Sequence, residues 1–365
     1  MISTRAGIGI IVVCLAIGFS SPASKAAGSL IRPADWHLSA TLAGEDNEQT
    51  IGGETNFEDA TNSAEDDDDY GTKSTRLGCK GYTCKWVKKC GKAPLNPFAP
   101  TSPFIINGED QIDGEWPSFV IIETRYKWKR WEIYCGGTLI SDRHVLTAAH
   151  CVYPQRDRIG GEIHSIRVTL GSHFTDNFNV HEVTVRASVL CMAKEFIDTQ
   201  NVTLQKLHDW AIVKLAVPIP VFKYVWPACL PFGPTNRPNQ YQHCHHVGAG
   251  FSMEDHRKTK TPDVIQKLPV EQVSCAKFSD IKSYDDQARV CYAKAGGGPG
   301  APCYGDSGGP VLCLDSYTKR WVVVATFSFK DPEDQDCIGD SPVGWAVAFS
   351  RTTMMLPEIM ANCPI

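Results

Sequence analysis

The stretch Cys303-Tyr304-Gly305-Asp306-Ser307-Gly308-Gly309-Pro310 sets a serine between glycines, with an acid immediately before it. Flanking glycines permit a tight turn that exposes the hydroxyl and aims neighbouring backbone N–H groups at one spot. Such a turn offers a nucleophile and a binding place for a developing oxyanion together. A serine hydroxyl is a poor nucleophile until a base removes its proton, and the base needs a partner that holds its tautomer. Both residue types stand upstream. His150 lies in Leu146-Thr147-Ala148-Ala149-His150-Cys151, and Asp209 opens Asp209-Trp210-Ala211-Ile212-Val213-Lys214-Leu215, an apolar run of strand character with the acid at its mouth. The chemistry implied is nucleophilic catalysis by serine, with a histidine base and an orienting carboxylate.

Strands must position these groups. Short runs rich in Val, Ile, Thr and Phe, separated by Gly, Pro, Asn and Asp, occur at Phe119 to Ile122, Ile166 to Gly171, Val183 to Leu190, Ala211 to Leu215 and Val322 to Phe329. That pattern predicts an all-β domain. One short helix is predicted near the C-terminus, around Pro357 to Ala361.

With 365 residues and 42% hydrophobic composition, the chain is long enough for one substantial core plus extensions, and its net charge of -5 names no partner. Arg5, an apolar stretch from Ile8 to Phe19 and the small residues Ser21, Ala23, Ala26 and Ala27 predict a secretory signal peptide over about residues 1–27. The apolar run is shorter than the ~18 to 20 residues a spanning helix needs, so a secreted, extracellular protein without a membrane segment is expected. Cysteine usage agrees: 15 cysteines less Cys14 leave 14, an even number suited to disulfides in an oxidising compartment. His243-Cys244-His245-His246 looks like a metal site but lacks a second pair of ligands at metal spacing, and no metal or cofactor is expected. Nor does anything point to a nucleic-acid partner.

Residues 28–104 read as a pro-segment in two halves. The first is polar, with eleven acids and no Lys or Arg between Glu45 and Asp69, and cannot bury enough surface to fold. Its run Asp66 to Asp69 has Tyr70 where an enteropeptidase site needs Lys. The second half reverses the charge, with Lys73, Arg76, Lys80, Lys85, Lys88, Lys89 and Lys92 and no acid among them. It could pair with the first half or bind an anionic surface such as a glycan. Pro94, Pro97, Pro100 and Pro103 then make an extended connector.

In the order His, Asp, Ser and in the residues around each, the chain from Ile105 to Ile365 resembles the trypsin/chymotrypsin family of serine endopeptidases. The resemblance implies two six-stranded antiparallel β-barrels with the cleft between them, His150 and Asp209 on the first and Ser307 on the second. It makes Ser307 the nucleophile, His150 the base, Asp209 its orienting partner, and the N–H groups of Gly305 and Ser307 the oxyanion hole. Ile105-Ile106-Asn107-Gly108-Glu109 resembles the family's new N-terminus after an activating cut, whose ammonium would turn inward to Asp306. The bond cut follows Phe104, so the full-length chain is expected to be a zymogen.

By the same resemblance Cys90, fifteen residues before Ile105, tethers the cut pro-segment to Cys229. Cys135 pairs with Cys151, Cys244 with Cys313, Cys275 with Cys291 and Cys303 with Cys337. Four cysteines remain, and Cys79 with Cys84 and Cys191 with Cys363 follow by elimination.

Ala301 takes the position at the base of the specificity pocket, where an Asp selects Arg or Lys in relatives. Tyr304, Thr326, Phe327, Ser328 and Gly344 are the other expected substrate-binding residues. An uncharged pocket favours Phe, Tyr, Leu or Met before the scissile bond. Thr326 is expected to supply a hydroxyl near Asp209 and Phe327 an aromatic wall, while Ser328 would narrow the entrance. The five acids from Asp331 to Asp340 could add a rim preference for basic neighbours. Asn201-Val202-Thr203 is a glycosylation sequon before Asp209, and Ser172 replaces an acid of the calcium loop found in trypsins. The leading function is a secreted, proteolytically activated endopeptidase acting on proteins or peptides, open to serpin-type or small protein inhibitors. Alternatives are a cascade protease with narrow targets, or a pseudoprotease used as a binding module, although no triad residue is missing.

Overall fold

The computed structural model describes residues 89–92, 109–126, 131–153, 163–175, 179–198, 208–232, 239–250, 252–255, 258–260, 262–275, 289–297, 300, 302–330 and 347–365. The expected signal segment, the acidic tract, Cys79, Cys84, Phe104, Ile105, Asn201, Ala301, the 331–340 tract, Cys337 and Gly344 lie outside them.

After the short β1 (Glu109–Asp110), the first half of the domain is built from β2 (Phe119–Tyr126), β3 (Glu132–Leu139), β4 (His144–Thr147), α1 (Ala149–Val152), β5 (Ile163–Leu170), β6 (Val183–Met192), α2 (Lys194–Asp198) and β7 (Ala211–Leu215). Six of these strands close into an antiparallel barrel in the order β2-β3-β4-β7-β6-β5. The apolar runs force the closure, because side chains alternate across a strand and a barrel leaves no edge exposed. Ile122, Leu139, Leu146, Val168, Leu170, Ile212 and Leu215 are completely buried inside. Each such side chain contributes ~1.5 to 3 kcal/mol by leaving water.

The second half holds β8 (Tyr241–Gly248), the β9 (Ser252–Asp255) and β10 (Lys258–Lys260) hairpin, β11 (Gln266–Val273), β12 (Arg289–Lys294), β13 (Pro310–Asp315), β14 (Trp321–Lys330), β15 (Val347–Arg351) and α3 (Thr352–Asn362). Its main sheet has seven strands rather than the six expected, in the order β1-β11-β12-β15-β14-β13-β8, with β8 also pairing on β11. The extra strand is β1, whose Glu109 and Asp110 pair with Lys267 and Gln266. All five predicted runs fall on strands, with ends shifted by up to four residues.

Two further differences concern helices. The C-terminal helix begins at Thr352, five residues before the expected start, and carries Pro357 inside it. The short α1 and α2 were not expected at all; each spans barely a turn and is held by its neighbours rather than by helix propensity.

Five disulfides brace the domain: Cys90–Cys229, Cys135–Cys151, Cys191–Cys363, Cys244–Cys313 and Cys275–Cys291. Cys303 is also disulfide-bonded, its expected partner Cys337 lying outside the described residues. The Cys191–Cys363 bridge ties the end of the chain back to β6 of the first barrel. Among the described residues no helix is long and apolar enough to cross a membrane.

Candidate active site

The pairing of β4 with β7 explains why His150 and Asp209 meet. Thr147, the last residue of β4, faces Ala211, the first of β7, in an antiparallel ladder. Chain leaving β4 and chain entering β7 therefore lie side by side, with His150 three residues beyond one and Asp209 two before the other. The disulfide from Cys151 to Cys135 on β3 fixes the turn that carries His150.

Asp209 is buried and accepts three hydrogen bonds. His150 Nδ1 lies 2.7 Å from Oδ2, the His150 backbone N–H donates to Oδ1 at 2.8 Å, and the Ser328 hydroxyl donates to Oδ2 at 2.6 Å. Burial works against the imidazolium, but the charge and hydrogen bond of Asp209 outweigh it and raise His150 above the ordinary histidine value. The same pair acts in reverse on the acid. Burial favours its protonated form, yet His150, Ser328 and the backbone N–H hold Asp209 below the usual carboxylate range. Bonding at Nδ1 leaves Nε2 as the nitrogen able to take a proton.

Ser307 comes from the other half, three residues before β13. Its turn is held from several sides. Asp306 is 3% exposed, its Oδ1 accepting the Gly250 N–H and its Oδ2 the Cys303 N–H, both at 2.8 Å. The Asp306 N–H donates to the Cys303 carbonyl, the Gly308 N–H to Phe327, and the Gly309 N–H to Asp306. Gly305 and Ser307 differ: among the described residues neither N–H donates to any group, and both residues are partly exposed. Gly305 reaches this conformation at a φ of 96°, in the left-handed region that glycine tolerates.

The serine turn is fastened to the first barrel through the backbone. The Gly136 N–H of β3 donates to the Ser307 carbonyl at 2.8 Å, and the Thr147 hydroxyl donates to the Gly136 carbonyl at 2.9 Å. A side chain on Gly308 would collide with Thr147 Oγ1, so the glycine permits the contact between the two halves. No hydrogen bond joins Ser307 Oγ to His150 among the described residues; in the absence of substrate such bonds are commonly long and tighten on binding.

A trypsin family profile matches residues 105–340, about two thirds of the chain and all of the segment that carries this site. The chain belongs to the trypsin family. It is a serine endopeptidase, a hydrolase of peptide bonds, and its substrates are proteins or peptides. A venom serine protease, Bi-VSP from Bombus ignitus, is 29% identical over 270 residues, covering 70% of this chain and 67% of that protein.

In this trypsin-family protease the hydroxyl on Asp209 is not the one expected. Among the described residues the buried Thr326 Oγ1 has no hydrogen-bond partner, and the bond comes from Ser328. The cause is a bulge in the β14–β15 ladder. Phe327 pairs with Phe349 and Phe329 with Ala348, which leaves Ser328 without a ladder partner and re-aims its side chain. Phe327, expected as an aromatic wall, is 3% exposed and packs in the core of the second half against His246. Phe329, half-buried, stacks over the Arg289 guanidinium at 4.3 Å.

Gly248, Gly250 and Gly136 had not been singled out from sequence. A Cβ on Gly250 would sit 2.5 Å from Asp306 Cγ, and one on Gly248 would collide with Asp306 Oδ1. The only trace in the sequence is the spacing Gly248-Ala249-Gly250 after a strand-like run. Tyr304 is exposed beside the turn.

Metal ligation finds little footing. Cys244 of the His243–His246 cluster is spent in its bridge to Cys313, while burial lowers His245 to about 4 and His246 to about 3 and keeps both neutral. Of the two groups among the described residues with three ligand atoms within 4.8 Å, Cys135, His150 and Cys151 contain a disulfide and so offer no thiolate. The other, Glu195, His208 and Glu358, is at the surface and serves to bring α2 against α3, where Glu358 accepts the Lys194 N–H at 3.4 Å. Ser172 Oγ donates to Glu182 at 3.1 Å.

Proposed function

We propose that the chain is the precursor of a secreted serine endopeptidase in which Ser307 is the nucleophile, His150 the general base and then acid, Asp209 its orienting partner, and the Gly305 and Ser307 N–H groups the oxyanion hole. The observation that carries this reading is the division of labour in the serine turn. Among the described residues the Asp306, Gly308 and Gly309 N–H groups donate to backbone carbonyls, whereas those of Gly305 and Ser307, beside the hydroxyl, donate to none. His150 Nε2 takes the Ser307 proton as Oγ attacks the peptide carbonyl; the carbonyl oxygen becomes an anion held by the two N–H groups. Collapse expels the amine, which receives the proton from His150, and leaves an acyl-enzyme. Water, deprotonated by the same nitrogen, then releases the acid and restores Ser307. Labelling of the cut protein at Ser307 by a serine-directed phosphonate tests the assignment, and labelling elsewhere would reject it.

Activation follows from where Asp306 sits. Burial pushes its carboxyl up to about 6, the Cys303 and Gly250 N–H groups pulling back only in part, so the buried carboxylate is held at a cost that a cation beside it would relieve. Asp110, Gln266 and Gly248 lie across three neighbouring strands, and Gly248 abuts Asp306. Two strand spacings are ~10 Å, and the four residues 105–108 reach up to ~13 Å, so an ammonium on Ile105 can arrive at Asp306. A cut after Phe104 therefore completes the site. The additional β8–β11 pairing supports reading the second sheet as the second barrel.

With Ala301 at its floor, the pocket takes large apolar side chains, and Phe329 rather than Phe327 supplies the aromatic wall. Phe104 suits such a pocket, which makes activation self-propagating once a trace of active enzyme exists. The Ser307→Ala precursor incubated with active protease would yield a new N-terminus beginning Ile105-Ile106-Asn107-Gly108; none, while peptide substrates are cleaved, would reject self-activation. The disulfide framework and the likeness to a venom protease support secretion. The Cys90–Cys229 bridge would keep the pro-piece attached after the cut.

A further inference from the structure

On a face built from β14, the chain before Cys229 and the end of the pro-segment lies a cavity of about 540 Å³, within the range of ligand pockets. Four cations line it, Lys92, Lys223, Lys319 and Arg320, together with Trp226 and Trp321. Each of the three main stretches of chain that form it contributes positive charge. Among the described residues none of Lys92, Lys223 and Lys319 sits in an ion pair. The neighbouring carboxylate, Asp315, is buried and turned inward. Its Oδ1 accepts the Tyr317 and Thr318 N–H groups and its Oδ2 the Gln240 amide, which ties down the turn that presents Lys319 and Arg320.

The pro-segment's part of this cavity is built, not incidental. Gly91 donates to the Pro227 carbonyl and accepts from the Trp321 N–H, while Trp226 Nε1 donates to the Lys89 carbonyl at 2.8 Å. With a φ of 73°, Gly91 also packs so closely that a Cβ would stand 2.7 Å from the Trp321 carbonyl and 2.9 Å from Cys229 Sγ. That seating, next to the Cys90–Cys229 bridge, carries Lys92 to the cavity with its Nζ 5.0 Å over the Trp226 ring. In the sequence, the run from Lys73 to Lys89 just before Lys92 holds six more cations and no acid.

We propose that this cavity is a binding site for a sulfated glycan, completed by the pro-segment. Three of its four cations are lysines, compact point charges that suit dispersed sulfates, whereas carboxylate recognition favours the paired donors of arginine. The half-buried Trp226 indole offers flat apolar surface for a sugar ring, which an acidic peptide does not need. Under the tether described above, a cut enzyme keeps Lys92 and hence the site; binding itself depends neither on the cut nor on catalysis.

The test is calorimetric titration of the uncut full-length chain with a heparin-derived octasaccharide at physiological salt. Saturable one-to-one binding is expected, weakened at least roughly tenfold by Lys223→Glu with Lys319→Glu, and severalfold by Lys92→Glu alone. The exposed Lys194, away from the cavity, provides a control: Lys194→Glu should change affinity less than about twofold. All four substituted side chains are exposed, and circular dichroism of each variant checks the fold. The desulfated octasaccharide should not bind, and poly-aspartate of equal charge should bind at least roughly tenfold more weakly. Equal weakening by Lys194→Glu would overturn the proposal in favour of diffuse attraction. Poly-aspartate binding as tightly as the glycan would overturn it in favour of an acidic peptide, and loss of nothing on Lys92→Glu would remove the pro-segment from the site.

Discussion

Two buried carboxylates flank the same catalytic centre and are treated in opposite ways. Asp209, on the first-barrel side, has a histidine, a hydroxyl and a backbone N–H on it and is held below the usual range. Asp306, on the second side, has two backbone N–H groups and is pushed up to about 6. Both are almost wholly out of water, so the difference lies in their partners rather than in burial. A barrel closed by its own ladder can assemble the Asp209 side before any cut. Among the described residues the Asp306 side has backbone donors and no cation, which under the proposed activation arrives only with the new chain end.

The sharpest test of this asymmetry starts at the proposed nucleophile, which both sides would serve. Ser307→Ala in the cut enzyme should lower kcat by roughly 10⁶ with little change in fold, as single-turnover kinetics and circular dichroism would show. Asp209→Asn should cost roughly 10⁴ by spoiling the His150 tautomer; near-normal peptidase activity in that variant would mean the first-barrel side does not act on His150.

Next in size is a stability difference at Asp306. In the uncut chain its folded value lies above the model-peptide 3.8, so the unfolded state ionises first and the fold loses stability as pH rises from about 4 to about 6. The loss is about 3 kcal/mol at ~1.36 kcal/mol per unit, and then levels off. In the cut chain the Ile105 ammonium should remove most of it. Glu115, also raised by burial, contributes in the same direction to both forms, so urea unfolding of cut and uncut Ser307→Ala protein should be compared as a difference. Identical pH dependence in the two forms would break the asymmetry.

A smaller effect, about 10- to 100-fold in kcat/KM, is expected for Ser328→Ala, which takes a hydrogen bond from a charged acceptor. Thr326→Val should stay within about threefold of the unaltered enzyme. If the threonine variant proved the more damaging, the bulge at Ser328 would have been misread. The pH profile completes the set. His150 must be neutral to act as base, and its value is raised, so kcat/KM should climb with pH to a plateau reached only above the ordinary histidine range near ~6.5.

The residues proposed for the centre were picked out by type alone. Serine between glycines, histidine before a cysteine and aspartate at the mouth of an apolar run announce a nucleophile, a base and an orienting acid, because few other uses need those types in those settings. The strand runs were equally plain, since alternating and β-branched residues have one inexpensive use. Residue counting failed at Ser328, because a one-residue bulge changes which side chain faces the acid and leaves no mark in composition. It failed also at α1 and α2, which are too short to owe their form to propensity.

What the sequence laid out by itself was therefore the residues proposed as reactive groups and the β character of the domain, while the crosslinks of Cys90, Cys135, Cys244 and Cys275 were expected through the family resemblance and are present in the structure. Only the tertiary structure decided that the Asp209 hydroxyl partner is Ser328, that Gly248 and Gly250 make room for Asp306, and that Lys92 meets Lys223, Lys319 and Arg320 around one cavity. The physical reason is range. Propensity and pattern act over a few residues, whereas these contacts join positions 56 to more than 200 residues apart, and such separations carry no local signal until the strands have paired.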